Sequence, residues 1–364
     1  MTQRETGVKL RQILHSVPGY VAGRPAAAQS EVTPYKVSSN ENPYPPLPSV
    51  LGVLAEAATE VNRYPDMAVT ELTGRIAQAL SVETEQISTG TGSVGVLQQI
   101  VTAACDAGDE VVFAWRSFEA YPIVVQLAGA VPVMVPVDAQ GRHDLPAMAA
   151  AVTDRTRVLI VCTPNNPTGP VVSGEDLATL LDEVPPEVLL VIDEAYVEFV
   201  TDEQAPDALT MVRDHPNVVL LRTFSKAYGL AGLRVGYAVT HPQIAAALRK
   251  TALPFGVNSL AQAAAVASLA AEGELRERVG LLVAERERVC AALAGQGWNL
   301  PNAQGNFVWF PLGVDSARFA AACAEQALTV RPYGDDGVRV TIGEVEANDR
   351  LLALAEQWRD RPSS

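Results

Sequence analysis

The stretch RVLIVCTPNNPTGP, residues 157–170, opens on an apolar run, Val158 to Cys162, and breaks at once into Pro, Asn, Thr and Gly. A short apolar run bounded by turn residues reads as a strand buried on both faces, with the chain turning just past its carboxyl end. The same pattern recurs in EVVFAW (110–115), VPVMVPV (131–137), VLLVIDEA (188–195), NVVLLRT (217–223) and RVGYAV (234–239), with helical patterns between them. Strands alternating with helices predict an α/β fold, a mostly parallel, twisted sheet covered by helices on both faces. Ligands bind such sheets outside the carboxyl ends of the strands, so chemistry-bearing side chains are expected just after these runs.

From about Gln243 onward the composition turns Ala-rich and helical, and two short strand patterns follow, NFVWFPL and VRVTIGE, in a smaller α+β region. The Pro-rich stretch NENPYPPLP (40–48) reads as a link from an N-terminal arm into the larger unit. The expected division is a large α/β domain over 41–245, with 1–40 and 246–364 forming a small α+β domain that includes the N-terminal arm.

With 364 residues, 48% of them hydrophobic, the chain can bury a sizeable core. Its four cysteines, Cys105, Cys162, Cys290 and Cys323, are scattered, which gives neither a disulfide framework nor a CxxC motif and suits a reducing, cytoplasmic setting. The opening MTQRETGVKLRQIL is too polar for a signal peptide, and no apolar run approaches the roughly 18 residues of a membrane span. A formal charge of -15 makes nucleic acid a poor partner. His15, His143, His215 and His241 show no metal-ligand spacing, so no metal is expected.

Four strand ends carry candidate chemistry. In STGTGSVGVLQQIVTAAC (88–105), Gly90, Gly92 and Gly95 form a GxGxxG. A dinucleotide fingerprint should follow a buried strand, and here only Ile87 precedes it in a polar stretch, so that reading is set aside. Small residues opening a helix still expose backbone N–H groups that suit a phosphate; the plainer reading is a tight turn with Ser93 as the helix cap. In PNNPTGP (164–170), a turn by composition, two adjacent Asn could point amide donors at a ring oxygen, with Pro167 holding Asn166 extended. Asp193 ends the run VLLVID and needs a partner if buried: a cationic ring nitrogen, or else an Arg or a helix N-terminus. Tyr196 follows three residues on and can reach the same crevice.

The fourth end is TFSKAYGLAGLRVGY (223–237). Taken alone, Lys226 reads as a solvated surface lysine. Close to cations such as Arg234 its pKa is expected to fall, and a neutral amine is a nucleophile suited to a Schiff base. A phosphate-suited turn, an Asn, a buried carboxylate with a nearby Tyr, and a Lys beside Ser and Arg are together the parts that pyridoxal phosphate needs.

Over almost the whole chain the segments NENPYP, NRYPD, GTGSVGVLQQ, WRSFEAYP, PNNPTGP, VIDEAYVEF, RTFSKAYGLAGLRVGY and GVRVTIGE resemble, in order, the fold-type I aminotransferases that use pyridoxal 5'-phosphate. The branch they resemble contains histidinol-phosphate aminotransferases and actinobacterial aromatic (phenylalanine) aminotransferases. The resemblance implies that Lys226 forms an aldimine with the cofactor and, once freed by substrate, shuttles the proton at the substrate α-carbon. It implies that Asp193 pairs with the pyridinium nitrogen, that Asn166 and Tyr196 hydrogen-bond the ring's O3′, and that Phe118 stacks on the ring. Ser93, the Val94 amide, Ser225 and Arg234 would bind the phosphate, and Arg339 the substrate α-carboxylate. Tyr20 would belong to a segment closing over the substrate. Tyr64 would reach the neighbouring subunit's cofactor, which implies a homodimer with shared sites. Without the resemblance, Phe118 reads as a packed core residue and Arg339, alternating with Val338 and Val340, as solvent-facing.

Histidinol-phosphate enzymes usually carry an acidic residue in the glycine turn, where this chain has GSVG; that form and WRSFEAYP look more like the aromatic branch. The implied reaction moves an amino group between an aromatic L-amino acid (Phe, Tyr or Trp) and 2-oxoglutarate, with histidinol phosphate as the alternative donor. A pyridoxal-phosphate decarboxylase or lyase would share the cofactor residues. An NAD-dependent dehydrogenase would rest on GTGSVG alone.

Overall fold

A computed structural model describes residues 8–19 and 32–359. After a two-residue strand β1 (Tyr35–Lys36), seven strands build the main sheet: β2 (Ile87–Gly90), β3 (Glu110–Trp115), β4 (Val131–Pro136), β5 (Thr156–Cys162), β6 (Leu189–Asp193), β7 (Val218–Thr223) and β8 (Gly236–Thr240). Their order is β2-β8-β7-β6-β5-β3-β4. Strands β3 to β7 run parallel, whereas β8 is antiparallel to both β7 and β2. RVGYAV thus forms the one reversed strand among those expected. β4 lies at the edge, where Pro132 and Pro136 cost no ladder bond that a central strand would need.

The alternation of side chains along each strand divides the core in two. Val112, Leu159, Val161, Leu190, Ile192 and Leu220 face one helical layer, and Val111, Phe113, Ile160, Val191, Val219 and Leu221 face the other. Cys162, Asp193 and Leu221 share one register row, which marks the carboxyl edge of the central strands.

A third core gathers around a three-stranded sheet of β9 (Phe307–Phe310), β11 (Arg331–Pro332) and β12 (Val338–Thr341), in the order β11-β12-β9. The short β10 (Leu328–Thr329) pairs with β1, and Val37 joins this core, so the N-terminal segment is built into it. The changeover between cores does not fall at residue 245. Pro242–Thr251 packs on the helix Gly92–Ala104, and Ser259–Ala270 on Pro48–Ala57 and Thr70–Leu80. It falls inside the helix Glu272–Gly295, whose Leu275 and Leu282 join the first core and whose Val289 and Leu293 join the third. Between them Arg286, 2% exposed, donates from Nη1 to the Phe199 and Gly305 carbonyls, which ties the two regions together. Among the described residues no helix is long and apolar enough to cross a membrane.

Candidate active site

A cavity of about 530 Å³ opens at the carboxyl edge of the main sheet, within the range of small-molecule sites. Ser93, Val94, Phe118, Asn166, Asp193, Tyr196, Ser225, Lys226, Arg234 and Arg339 line it, which gathers ten of the sequence candidates around one space. Two candidates remain. Tyr64 is 84% exposed, its ring 4.7 Å from that of Phe255, and Tyr20 lies outside the described residues.

The glycine turn differs from expectation in an informative way. A buried strand does precede it, β2, so the ground for setting the dinucleotide reading aside does not hold. That strand is an edge strand paired only with the reversed β8, rather than the opening strand of a parallel unit. Ser93 is not the cap: Thr91 is at the N-cap of Gly92–Ala104 and makes no side-chain capping bond, so the first-turn N–H groups of Ser93 and Val94 remain for a ligand. Gly92 has φ 76°, and a Cβ there would stand 2.6 Å from Arg234 Nη2; a Cβ on Gly236 would stand 2.5 Å from the Ser93 nitrogen. Both glycines let the cationic side chain and the helix end approach one another. Arg234 Nη1 is 3.4 Å from Ser225 Oγ, which also accepts from Thr223 Oγ1 at 3.0 Å, leaving the Ser225 proton to donate outward.

Asp193, 4% exposed, is paired among the described residues neither with an Arg nor with a helix N-terminus. Its Oδ2 accepts from Tyr121 Oη at 2.7 Å and its Oδ1 from the Ala195 N–H at 3.2 Å. Burial pushes its pKa up to about 6, against the pull of the Tyr121 bond. The nearby Arg222 instead clamps Glu194 from Nε and Nη2 at 2.9 and 2.7 Å. A buried carboxylate in no ion pair, with Lys226 acting on it only weakly across the cavity, suits a ring N–H brought by a ligand.

Lys226 Nζ is 3.4 Å from the Ser39 carbonyl and 3.3 Å from that of Asn40. Burial first, and then the charge of Arg339, bring its pKa down to about 7, with Arg234 contributing less than the sequence suggested. The neutral amine is therefore accessible near neutral pH, where an ordinary lysine is almost wholly protonated. Arg339, 6% exposed, faces the cavity and not the solvent. Nη1 donates to Asn166 Oδ1 at 2.5 Å and Nη2 to the Ser38 carbonyl at 2.7 Å, while buried Nε has no partner. Of the two asparagines only Asn166 lines the cavity; Asn165 is structural, accepting from Ser117 Oγ and donating to the Arg116 carbonyl and Thr168 Oγ1.

Sequence reasoning missed Tyr121 and Asn40, whose side chains hold Asp193 and Tyr196. Both stand inside quoted motifs, WRSFEAYP and NENPYP, but neither ends a strand.

Residues 33–354 match the family described as aminotransferase class I and II. The chain belongs to that family. It is 56% identical to the aromatic amino acid aminotransferase of Streptomyces avermitilis over 355 residues, covering 98% of this chain and 99% of that protein. Its identity to the aromatic amino acid aminotransferase of Thermobifida fusca is 54%, over 97% of this chain and 98% of the relative. The structure of histidinol-phosphate aminotransferase from Sinorhizobium meliloti, solved with pyridoxal-5'-phosphate, superposes with a TM-score of 0.86 at 29% identity, covering 97% of this chain and 98% of that one. The fold is thus that of fold-type I aminotransferases.

Proposed function

We propose that this aminotransferase binds pyridoxal 5'-phosphate in the cavity and moves the amino group between an aromatic L-amino acid and 2-oxoglutarate. The observation that carries the cofactor is the grouping around one space of a buried carboxylate in no ion pair, a lysine whose neutral form burial favours, and an uncapped helix start beside Ser225 and Arg234. When bound, the cofactor supplies an aldehyde for primary amines and a ring that takes up the electron pair left at the substrate α-carbon.

The chain's own residues do the rest. Lys226, deprotonated above about pH 7, acts as the nucleophile and afterwards as the base that holds the α-proton. Asp193, held by Tyr121, would keep a negative charge opposite the ring nitrogen. Of the other residues lining the cavity, Asn166 and Tyr196 would bond the ring oxygen, Phe118 would cover the ring, and Ser93, the Val94 amide, Ser225 and Arg234 would hold the phosphate. Arg339 is free at Nε, and its planar fork can exchange the Asn166 contact for a carboxylate. Ile123, Val124 and Leu127 also line the cavity and offer an apolar wall to an aromatic side chain. The S. avermitilis and T. fusca relatives, named for aromatic amino acids, support that substrate class.

The same reading extends to a homodimer. Tyr64 does not line its own chain's cavity; it is exposed against Phe255, and Met67 and Leu253 are exposed as well. Sedimentation of the purified protein is expected to give a dimer; an active monomer would remove Tyr64 from the site. The substrate is tested by comparing kcat/KM for phenylalanine and histidinol phosphate, each with 2-oxoglutarate. A higher value for phenylalanine is expected, and the reverse would reassign the donor. A protein that takes up no pyridoxal phosphate would end the reading altogether.

A further inference from the structure

Asn40 is fully buried where the N-terminal segment, the main sheet and β12 meet. Its backbone has φ 50°, in the left-handed region that Asn tolerates. Its N–H donates to Thr341 Oγ1 at 2.9 Å, Thr341 Oγ1 donates to Asn40 Oδ1 at 3.0 Å, and Nδ2 lies 3.0 Å from Tyr196 Oη. Thr341 decides which end of the amide faces the tyrosine. Its oxygen takes the backbone proton, and its own proton needs an acceptor, which Oδ1 supplies. Turned over, the amide would put a second donor on a hydroxyl that is buried with its residue at 3% exposure, leaving that hydroxyl's proton without the Oδ1 acceptor.

Nδ2 therefore donates to Tyr196 Oη. A phenol oxygen that accepts on one side keeps its own proton for another direction, and Tyr196 borders the cavity. The charged and titratable groups around this ring are Lys226, with Nζ 5.7 Å from the centroid, Arg339, Cys162 and Tyr333. Asn40 also touches the lysine directly, through its main-chain carbonyl. We propose that Asn40 is a positioning residue for transamination: by donating to Tyr196 Oη it aims the tyrosine's own proton into the cavity, so that Tyr196 acts there as a donor. This rests on the reading above, in which Tyr196 faces the ring oxygen of pyridoxal phosphate.

The test uses cofactor-loaded wild type, Asn40→Gly, Tyr196→Phe, the double variant and Thr341→Val. Glycine keeps the left-handed backbone and removes only the amide. The readouts are the pH midpoint of the bound cofactor's visible absorption, and kcat and KM measured separately. A ring oxygen deprived of a donor carries negative charge less readily, so a proton shared with it is held more tightly and the midpoint rises. Asn40→Gly is expected to raise the midpoint by about half a unit or more and lower kcat about tenfold, with the KM for the amino acid nearly unchanged. Tyr196→Phe should raise the midpoint further, and adding Asn40→Gly to it should change nothing more, because one acts through the other. Thr341→Val, which unties the amide, should give a smaller rise. An Asn40→Gly enzyme with the wild-type midpoint, or additive shifts in the double variant, would overturn the proposal. Should Asn40→Gly not fold, Thr341→Val decides: a raised midpoint supports the proposal and an unchanged one overturns it. Wild type that takes up no cofactor sinks both this and the functional reading, whereas normal loading with an unmoved midpoint sinks this alone.

Discussion

Two neighbouring carboxylates at the end of β6 stand in opposite electrical conditions. Glu194 points behind the sheet into a completed ion pair with Arg222, which the chain supplies for itself. Asp193 points into the cavity with a tyrosine hydroxyl and one backbone N–H and is in no ion pair among the described residues, Lys226 acting on it only weakly. Both are buried to nearly the same degree, 3% and 4% exposed, so burial alone does not separate them. What separates them is whether the partner is part of the chain. A structural charge is compensated internally, because a buried ion without a partner costs several kcal/mol. A charge left uncompensated beside a cavity marks the place of a ligand.

The contrast can be broken from either side. Lys226→Ala should have the largest effect, lowering turnover by at least about 10³-fold while leaving thermal unfolding unchanged. Steady-state transamination retained in that variant would contradict the assignment. On the far side of the strand, Arg222→Met strands Glu194 and should cost ~3–5 kcal/mol in denaturant unfolding, with cofactor uptake per folded molecule retained. If that variant were as stable as wild type, the ion pair would not be the structural half of the comparison. Arg339→Ala should chiefly raise the KM for the amino donor, by about 10–100-fold for the loss of a charged fork; an unchanged KM would remove Arg339 from the site. The smallest effect is on pH. Lys226 has a lowered pKa of about 7, so its reactive form is lost as pH falls below that value. Uptake of pyridoxal phosphate by the apo-protein should therefore rise about tenfold between pH 6 and pH 8 and level off above, as the neutral fraction does. A rise continuing to pH 10 would mean that burial does not depress the amine.

The central strands were legible because a buried parallel strand is a short apolar run closed by turn residues, as Val158–Cys162 and Leu189–Ile192 are. The reversal of β8 was not, since direction depends on which neighbour a strand finds. β2 was missed because Ser88 and Thr89 break the apolar run; Ser88 is buried in the fold, where its hydroxyl donates to Gln99 Oε1 at 3.1 Å. The break between cores inside Glu272–Gly295 leaves no mark in composition, because one helix serves both.

The sheet's central strands, the residue types at their ends and the family likeness follow from local pattern and from spacing along the chain. Which of two adjacent residues faces the cavity, Asn166 over Asn165 and Asp193 over Glu194, follows instead from three-dimensional packing. So does the choice of the distant groups that hold them, Tyr121 on Asp193 and Asn40 on Tyr196. The physical reason is that burial, the direction of a hydrogen bond and the shift of a pKa are set by atoms brought together across 72 or 156 residues of chain, and no local pattern records them.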